Sequence, residues 1–141
     1  MTSKPTAKTV VAAVIVRDSR LLICRRSRKG SFPMKWEFPG GKVEPGEDLH
    51  AALARELYEE LAIRATIGRE IYRTAYQYPG FAEPLRIIFH LADAGAQNLT
   101  MDPESFEQIA WAAPADLARY DFLPANAELI AKLISGALRL E

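Results

Sequence analysis

A single cysteine, Cys24, excludes an internal disulfide framework and points to a reducing compartment, most simply the cytosol. It lies in the apolar run Leu21-Leu22-Ile23-Cys24, which reads as the site of a buried, inert thiol. No net charge is available either: Lys plus Arg number 18 and Asp plus Glu number 18. No overall field therefore recruits a nucleic-acid polymer or an anionic membrane, although a local basic patch could still hold one small polyphosphate. No apolar stretch approaches the ~18 residues of a membrane span. The start, Met1 to Lys8, is polar and lacks the apolar segment of a signal peptide. Internal repeats, low-complexity tracts and linker-like composition are absent as well. With 141 residues, 49% of them hydrophobic, the chain is expected to form a single domain, residues 1–141, around one sizeable core.

What is present is an ordered series of short elements. Residues 9–17 read as a buried strand, Asp18-Ser19-Arg20 as a turn and residues 21–25 as a second strand, together a hairpin. Residues 26–35 are basic and loop-like. Trp36-Glu37-Phe38 is a short extended piece stopped by Pro39-Gly40-Gly41. After Pro45-Gly46, Glu47-Asp48 is expected to open a helix running to about Leu61, its acidic first turn matched to the helix dipole. Residues 64–78 and 85–92 are β-rich around a turn at Pro79-Gly80, and residues 106–112 form another strand. A short helical turn begins at Pro114, and residues 125–138 read as an amphipathic C-terminal helix. Strands interleaved with two substantial helices imply an α/β fold, a mixed β-sheet sandwiched between α-helices.

The chemistry concentrates between Gly40 and Glu60. Gly41 is followed after five residues by Glu47; seven residues later come Arg55-Glu56-Leu57, then Glu59-Glu60, Ala62 and Ile63. On a helix advancing about 100° per residue, Glu56, Glu59 and Glu60 fall within an arc of about 100°. Leu49, Leu53, Leu57 and Leu61 form the adjoining core-facing stripe. Carboxylates at i, i+3 and i+4 repel one another and weaken a helix unless a cation offsets them. Hard cations such as Mg²⁺ or Mn²⁺ take such oxygen ligands and bridge to phosphate oxygens. A solvated acidic face is the alternative, but it leaves unexplained the upstream Gly-Gly loop and Arg55, which lies one turn before Glu59 and could orient a carboxylate.

This pattern resembles the Nudix box, G-x5-E-x7-R-E-U-x-E-E-x-G-U with U apolar, at every defined position but one. Six fixed residues and two apolar ones coincide by chance with a probability on the order of one in 10⁸ per start position. The departure is Ala62, where the family has Gly. A left-handed helix exit costs Ala roughly 1 kcal/mol but removes no chemical group. The resemblance implies a metal-dependent pyrophosphohydrolase using Mg²⁺, with Mn²⁺ as substitute. It implies that the Gly40 carbonyl and the carboxylates of Glu56, Glu59 and Glu60 are metal ligands, with Glu56 or Glu59 also serving as the water-activating base. Glu47 and Arg55 would hold the loop against the helix. A further carboxylate ligand is expected from the loop before Trp111. There Glu107 and Glu104 flank the matching place, which Ser105 occupies, and either Glu107, weakly preferred, or neither residue supplies the ligand.

Leu22-Ile23-Cys24-Arg25-Arg26, Trp36 to Lys42 and Phe122 to Asn126 look like the MutT-type branch, so the resemblance covers nearly the whole chain. It implies hydrolysis of nucleoside triphosphates to the monophosphate and pyrophosphate, including sanitation of 8-oxo-dGTP, with Arg26, Phe38 and Asn126 lining a nucleotide pocket. Each also has a plain reading: Arg26 as a loop charge, Phe38 as core, Asn126 as a helix N-cap. A carboxamide, offering donor and acceptor together, suits a purine edge. Relatives with the same framework prefer CTP or modified dCTP, which is the pyrimidine alternative. A non-catalytic nucleotide-sensing module is the other, and the three retained box glutamates argue against it. No membrane or polymeric nucleic-acid partner is expected. His50 and His90 stand far apart in the chain without metal-ligand spacing and read as ordinary helix-surface and strand residues.

Overall fold

The structure, a computed structural model, describes residues 8–140; Met1 to Ala7, most of the polar start discussed for a signal peptide, lie outside the described residues. The central strand β1, Lys8–Arg17, is apolar on both faces, as a strand covered on both sides must be. It turns into β2, Arg20–Arg26, through Asp18 and Ser19, both at positive φ (52° and 63°). Two such residues match the twist of a tight hairpin.

One edge of β1 pairs in parallel with β6, Leu85–Asp93, from Lys8↔Leu85 to Ile15↔Ala92. Strand β6 in turn pairs antiparallel with β5, Thr66–Tyr76. The other edge of β1 takes β4, Gly40–Lys42, over Val10 to Ala12. Strand β2 runs on between β3, Trp36–Glu37, and β7, Phe106–Ala112. The result is a seven-stranded mixed sheet. On one face Val11, Ala13, Ile15, Leu22, Cys24 and Ile88 pack against helix α1, Leu49–Leu61. On the other, Val14, Ile23 and Phe89 pack against Leu117 and against Leu129 and Leu133 of helix α2, Ala127–Ser135. The sandwich of a mixed sheet between helices is thus the observed architecture.

Several boundaries differ from the sequence reading for local reasons. Helix α1 begins at Leu49, because Asp48 is extended (φ −69°, ψ 145°) and accepts a hydrogen bond from the Ala51 N–H at 3.2 Å. Asp48 is therefore the N-cap, and Glu47 and Asp48 precede the first turn instead of occupying it. At the far end Ala62 takes the left-handed conformation (φ 56°, ψ 36°) and its N–H reaches the Tyr58 carbonyl at 3.0 Å. The amides of Thr100 and Asp102 then satisfy the Leu61 and Glu60 carbonyls, both at 2.9 Å, so a distant loop completes the helix exit. The expected C-terminal helix divides into a 3₁₀ turn, Pro124–Asn126, and α2. Strand β4 has little intrinsic strand propensity, and β1 supplies its partners. Cys24 is fully buried, and burial pushes its thiol well above the usual range. Among the described residues no helix is long and apolar enough to cross a membrane.

Candidate active site

Ala52, Leu53, Leu57 and Leu61 bury one side of α1 against the sheet. At about 100° per residue this sets Glu56, Glu59 and Glu60 along the flank facing β4. The contact between β4 and α1 is close. The Gly40 N–H donates to Oε1 of Glu60 at 3.1 Å. Gly40 has φ 155°, and a Cβ there would strike the Val11 carbonyl and Ala12 backbone of β1; a Cβ on Gly41 would strike the Glu56 carboxylate. Two adjacent glycines let the strand lie between β1 and the helix carboxylates without steric conflict.

One cation stands among these acids. Arg55 Nε and Nη2 reach the two Glu47 oxygens at 2.7 and 2.9 Å, a bidentate pair. Its Nη1 lies 3.0 Å from Glu56 and 3.4 Å from Glu59, and Nη2 also donates to the Lys42 carbonyl at 3.2 Å. Arg55 therefore ties the 42–47 loop, the helix and two of the three box glutamates together. The hydrogen bonds from Arg55 and from the Glu44 backbone N–H bring the Glu47 carboxyl down to about 2.

Glu60 has no such partner. Burial, then the charges of Glu37 and Glu56, push its carboxyl up to about 9 despite the Gly40 N–H. Burial likewise raises Glu56, opposed by Arg55. Among the described residues, no three carboxylate, imidazole or thiol groups converge as a preformed metal centre. Glu56 and Glu59 turn toward Arg55, and Glu60 toward the Gly40 amide. The donor set nevertheless fits a hard divalent cation: crowded carboxylate oxygens beside a backbone free of Cβ atoms, with a Glu60 carboxyl whose ionised form a cation would stabilise.

A cavity of about 620 Å³ opens beside this cluster and is lined by Gly40, Gly41 and Glu60. Arg26 and Phe38 also line it. Arg26 Nη1 pairs with Glu37 at 3.0 Å, and burial raises the Glu37 carboxyl against the pull of that guanidinium. Phe38 is at once wall and core, edge-on to Phe89 at 6.1 Å between ring centroids. Asn126 is not among the lining residues. It is buried, its Nδ2 donates weakly to the Leu123 carbonyl at 3.4 Å, and its side chain makes no capping bond to α2. Glu107 is turned away too, pairing with Arg28 at 3.1 Å, whereas Glu104 and Ser105 reach the cavity. Glu37, Tyr78, Phe81 and Lys42 line the cavity without having stood out in the sequence. Only the place of Glu37 beside Phe38 before the glycines was a signal, since period-2 alternation alone does not say which face is functional.

The chain matches the family model described as "NUDIX domain" over residues 7–133. The chain belongs to the Nudix family. Among curated relatives it is 35% identical to the CTP pyrophosphohydrolase of Escherichia coli (strain K12), over 86% of this chain and 87% of that protein. It is 34% identical to the nucleoside triphosphatase NudI of Escherichia fergusonii, over 81% of this chain and 87% of that protein. The crystal structure of a MutT NUDIX hydrolase from Burkholderia pseudomallei superimposes with a TM-score of 0.76 at 26% identity, covering 89% of this chain and 97% of that one. The protein is a Nudix hydrolase of MutT-like architecture, and a divalent-ion requirement is general in this family.

Two expectations follow from this geometry. Gly41→Ala displaces the movable end of Glu56, so stability should change by no more than about 1 kcal/mol while turnover falls on the order of 10²-fold. Gly40→Ala meets β1 backbone and should instead cost about 2–3 kcal/mol or more of stability. Melting curves and kcat on the two variants separate these effects; full activity in Gly41→Ala would contradict the placement of Glu56.

The second concerns acid. The folded carboxyl of Glu47, at about 2, lies below its ordinary 4.5, so its ionised form favours the folded state. That contribution is complete above about pH 4.5 and fades as pH falls toward about 2. Glu47→Gln should lower Tm at neutral pH and show a smaller further loss across this acid range than the unsubstituted protein. Parallel acid limbs in the two Tm profiles would contradict it.

Proposed function

We propose that this Nudix hydrolase cleaves nucleoside triphosphates to the monophosphate and pyrophosphate, with a pyrimidine nucleotide such as CTP as the favoured substrate. The observation that carries the reading is one cavity that joins the Gly40–Gly41–Glu60 cluster to aromatic walls able to take a base. Lys42 lines the same cavity, and Lys8 beside it is lowered because the two ammonium groups face one another. Such a cationic pair at the cavity mouth favours a polyphosphate.

Mg²⁺, with Mn²⁺ as substitute, would be held by the Gly40 carbonyl, Glu56 and Glu60, and when bound supplies charge neutralisation at the phosphate oxygens. The chain's own groups do the rest. Glu59, 56% exposed and held only at 3.4 Å by Arg55, has the freedom to accept a proton from the attacking water. Arg55 and Glu47 keep the loop carrying Lys42 against α1. Phe38 and Tyr78 exclude water from the base site, and Arg26 holds the Glu37 carboxylate at its edge.

The identity to a CTP pyrophosphohydrolase supports the pyrimidine preference. So does Glu37, since a carboxylate accepts from the exocyclic amine of cytosine. The likeness to solved MutT-type hydrolases supports the second reading, oxidised guanine nucleotides such as 8-oxo-dGTP. Against that reading stands Asn126, whose carboxamide lies buried on the Leu123 carbonyl and away from the cavity lining.

Glu60→Gln removes an ionisable ligand at nearly constant shape and should lower kcat on the order of 10²-fold or more, with stability unchanged or raised because the cost of burying an ionisable carboxyl disappears. Chelator should abolish turnover in the unsubstituted enzyme, and Mg²⁺ or Mn²⁺ should restore it. Near-normal turnover of the variant at saturating metal would remove Glu60 from the ligand set.

Substrate choice is tested by kcat/KM for CTP, dGTP and 8-oxo-dGTP, with Asn126→Ala alongside. CTP should lead, and Asn126→Ala should cost about 1–3 kcal/mol of stability through the lost buried bond while scaling all three substrates alike. A loss confined to guanine nucleotides, with unchanged Tm, would restore base reading to Asn126 and overturn the pyrimidine preference.

A further inference from the structure

His50 and His90, separated by 40 positions in the chain, meet in space: their rings lie 5.0 Å apart between centroids at 87°. His90 is on β6, only 4% exposed, on the sheet face covered by α1; His50 is exposed in the first turn of that helix. The two rings therefore close the gap between helix start and sheet at the end of α1 opposite Glu59 and Glu60.

The protonation of His90 is set by its neighbours. Nδ1 lies 3.2 Å from the Gly68 carbonyl, which only accepts, so Nδ1 carries the proton. That carbonyl is available because β5 bulges between Ile67 and Glu70, where register with β6 shifts. Nε2 is then a bare lone pair, and it is the one buried side-chain nitrogen or oxygen among the described residues without a hydrogen-bond partner. A buried acceptor left open costs free energy, on the order of 1–3 kcal/mol, so its retention calls for a ligand. A ring fixed at one nitrogen by a backbone carbonyl and open at the other is the arrangement of a metal-binding histidine.

We propose that His50 and His90 form a second cation site, separate from the carboxylate cluster and selective for a nitrogen-preferring transition ion of the Zn²⁺ type. Two imidazoles on one tetrahedral ion with metal–nitrogen distances of ~2.1 Å place their ring centroids roughly 5 Å apart, matching the observed separation. His50 is exposed and, among the described residues, its side chain makes no hydrogen bond or ion pair, so it turns to present a nitrogen with little resistance. Glu70 is the register partner of His90, but both Glu70 oxygens are held by Arg73 at 2.6 Å. Water therefore completes the coordination shell, and the site is a clamp between α1 and β6 instead of a buried structural centre.

The test titrates Zn²⁺ into the full chain in excess Mg²⁺, which keeps the carboxylate cluster supplied. Two readouts are followed: Tm and the imidazole ¹⁵N resonances. The expected result is a saturating rise in Tm together with a shift of the His90 Nε2 signal, whose Nδ1–H signature stays in place. His50→Ala should bind Zn²⁺ more weakly on the order of 10-fold or more, with Mg²⁺-supported nucleotide hydrolysis unchanged. Zn²⁺ stabilisation equal in His50→Ala and the unsubstituted protein would overturn the site. So would Zn²⁺ binding that leaves the His90 Nε2 resonance unmoved, or no Zn²⁺ binding at all.

Discussion

The close approach of β4 to α1 is the constraint on which the site depends. Gly40 and Gly41 hydrogen-bond to β1 on one side and meet the Glu60 and Glu56 carboxylates on the other. A side chain at Gly40 would strike the β1 backbone, and one at Gly41 would displace the Glu56 carboxylate. The leucines of α1 then have a second task beyond filling the core. Leu53, Leu57 and Leu61, all fully buried, contribute about 1.5–3 kcal/mol each on burial. Repulsion between glutamates one turn apart costs only about 0.2–0.5 kcal/mol per pair. Packing therefore wins, and the helix is held in a rotation that leaves its acids facing the glycine strand.

Electrostatics divides the acids into two groups. Glu47, with the Arg55 fork and a backbone amide, is stabilised as an anion and fixes the loop. Glu60 is buried among like charges and is raised to about 9, so its ionised form is costly until a cation arrives. On the proposed function, a site built this way would store part of its metal affinity as native-state destabilisation. Arg55 limits the damage by pairing with Glu56 and Glu59. Stability and function are thus in tension at one helix face, with the sheet behind it meeting the cost.

The legible part of the sequence was whatever depends on local spacing. Helix α1, its leucine stripe, its acidic flank and the tie between Glu47 and Arg55 all follow from residues within two or three turns of one another. The hairpin of β1 and β2 is equally local. The parallel pairing of β1 with β6 joins positions more than 70 residues apart, and no periodicity encodes it. The contacts of Asn126 and Glu107 were not legible for the same reason. Asn126 has a residue type suited to base reading, yet the 3₁₀ turn before α2 directs it onto Leu123. Glu107 has the right type near the right place, yet the β7 register and the basic loop give it to Arg28.

The same reasoning explains why base preference is harder to read than chemistry. The carboxylate cluster is built on one strand and one helix, whose geometry the box spacing dictates. The rest of the cavity is lined by Arg26 and Glu37 on neighbouring strands, Phe38 before β4, and Tyr78 and Phe81 on the β5–β6 connection. Phe32 and Tyr78 meet at 4.6 Å between centroids and Phe32 and Phe81 at 5.8 Å, so two loops far apart in sequence share one aromatic wall. Loop substitutions can reshape that wall without disturbing α1 or β4. On the proposed function, hydrolysis and selectivity are therefore carried by physically separate parts of the fold, and only the first is written as a contiguous motif.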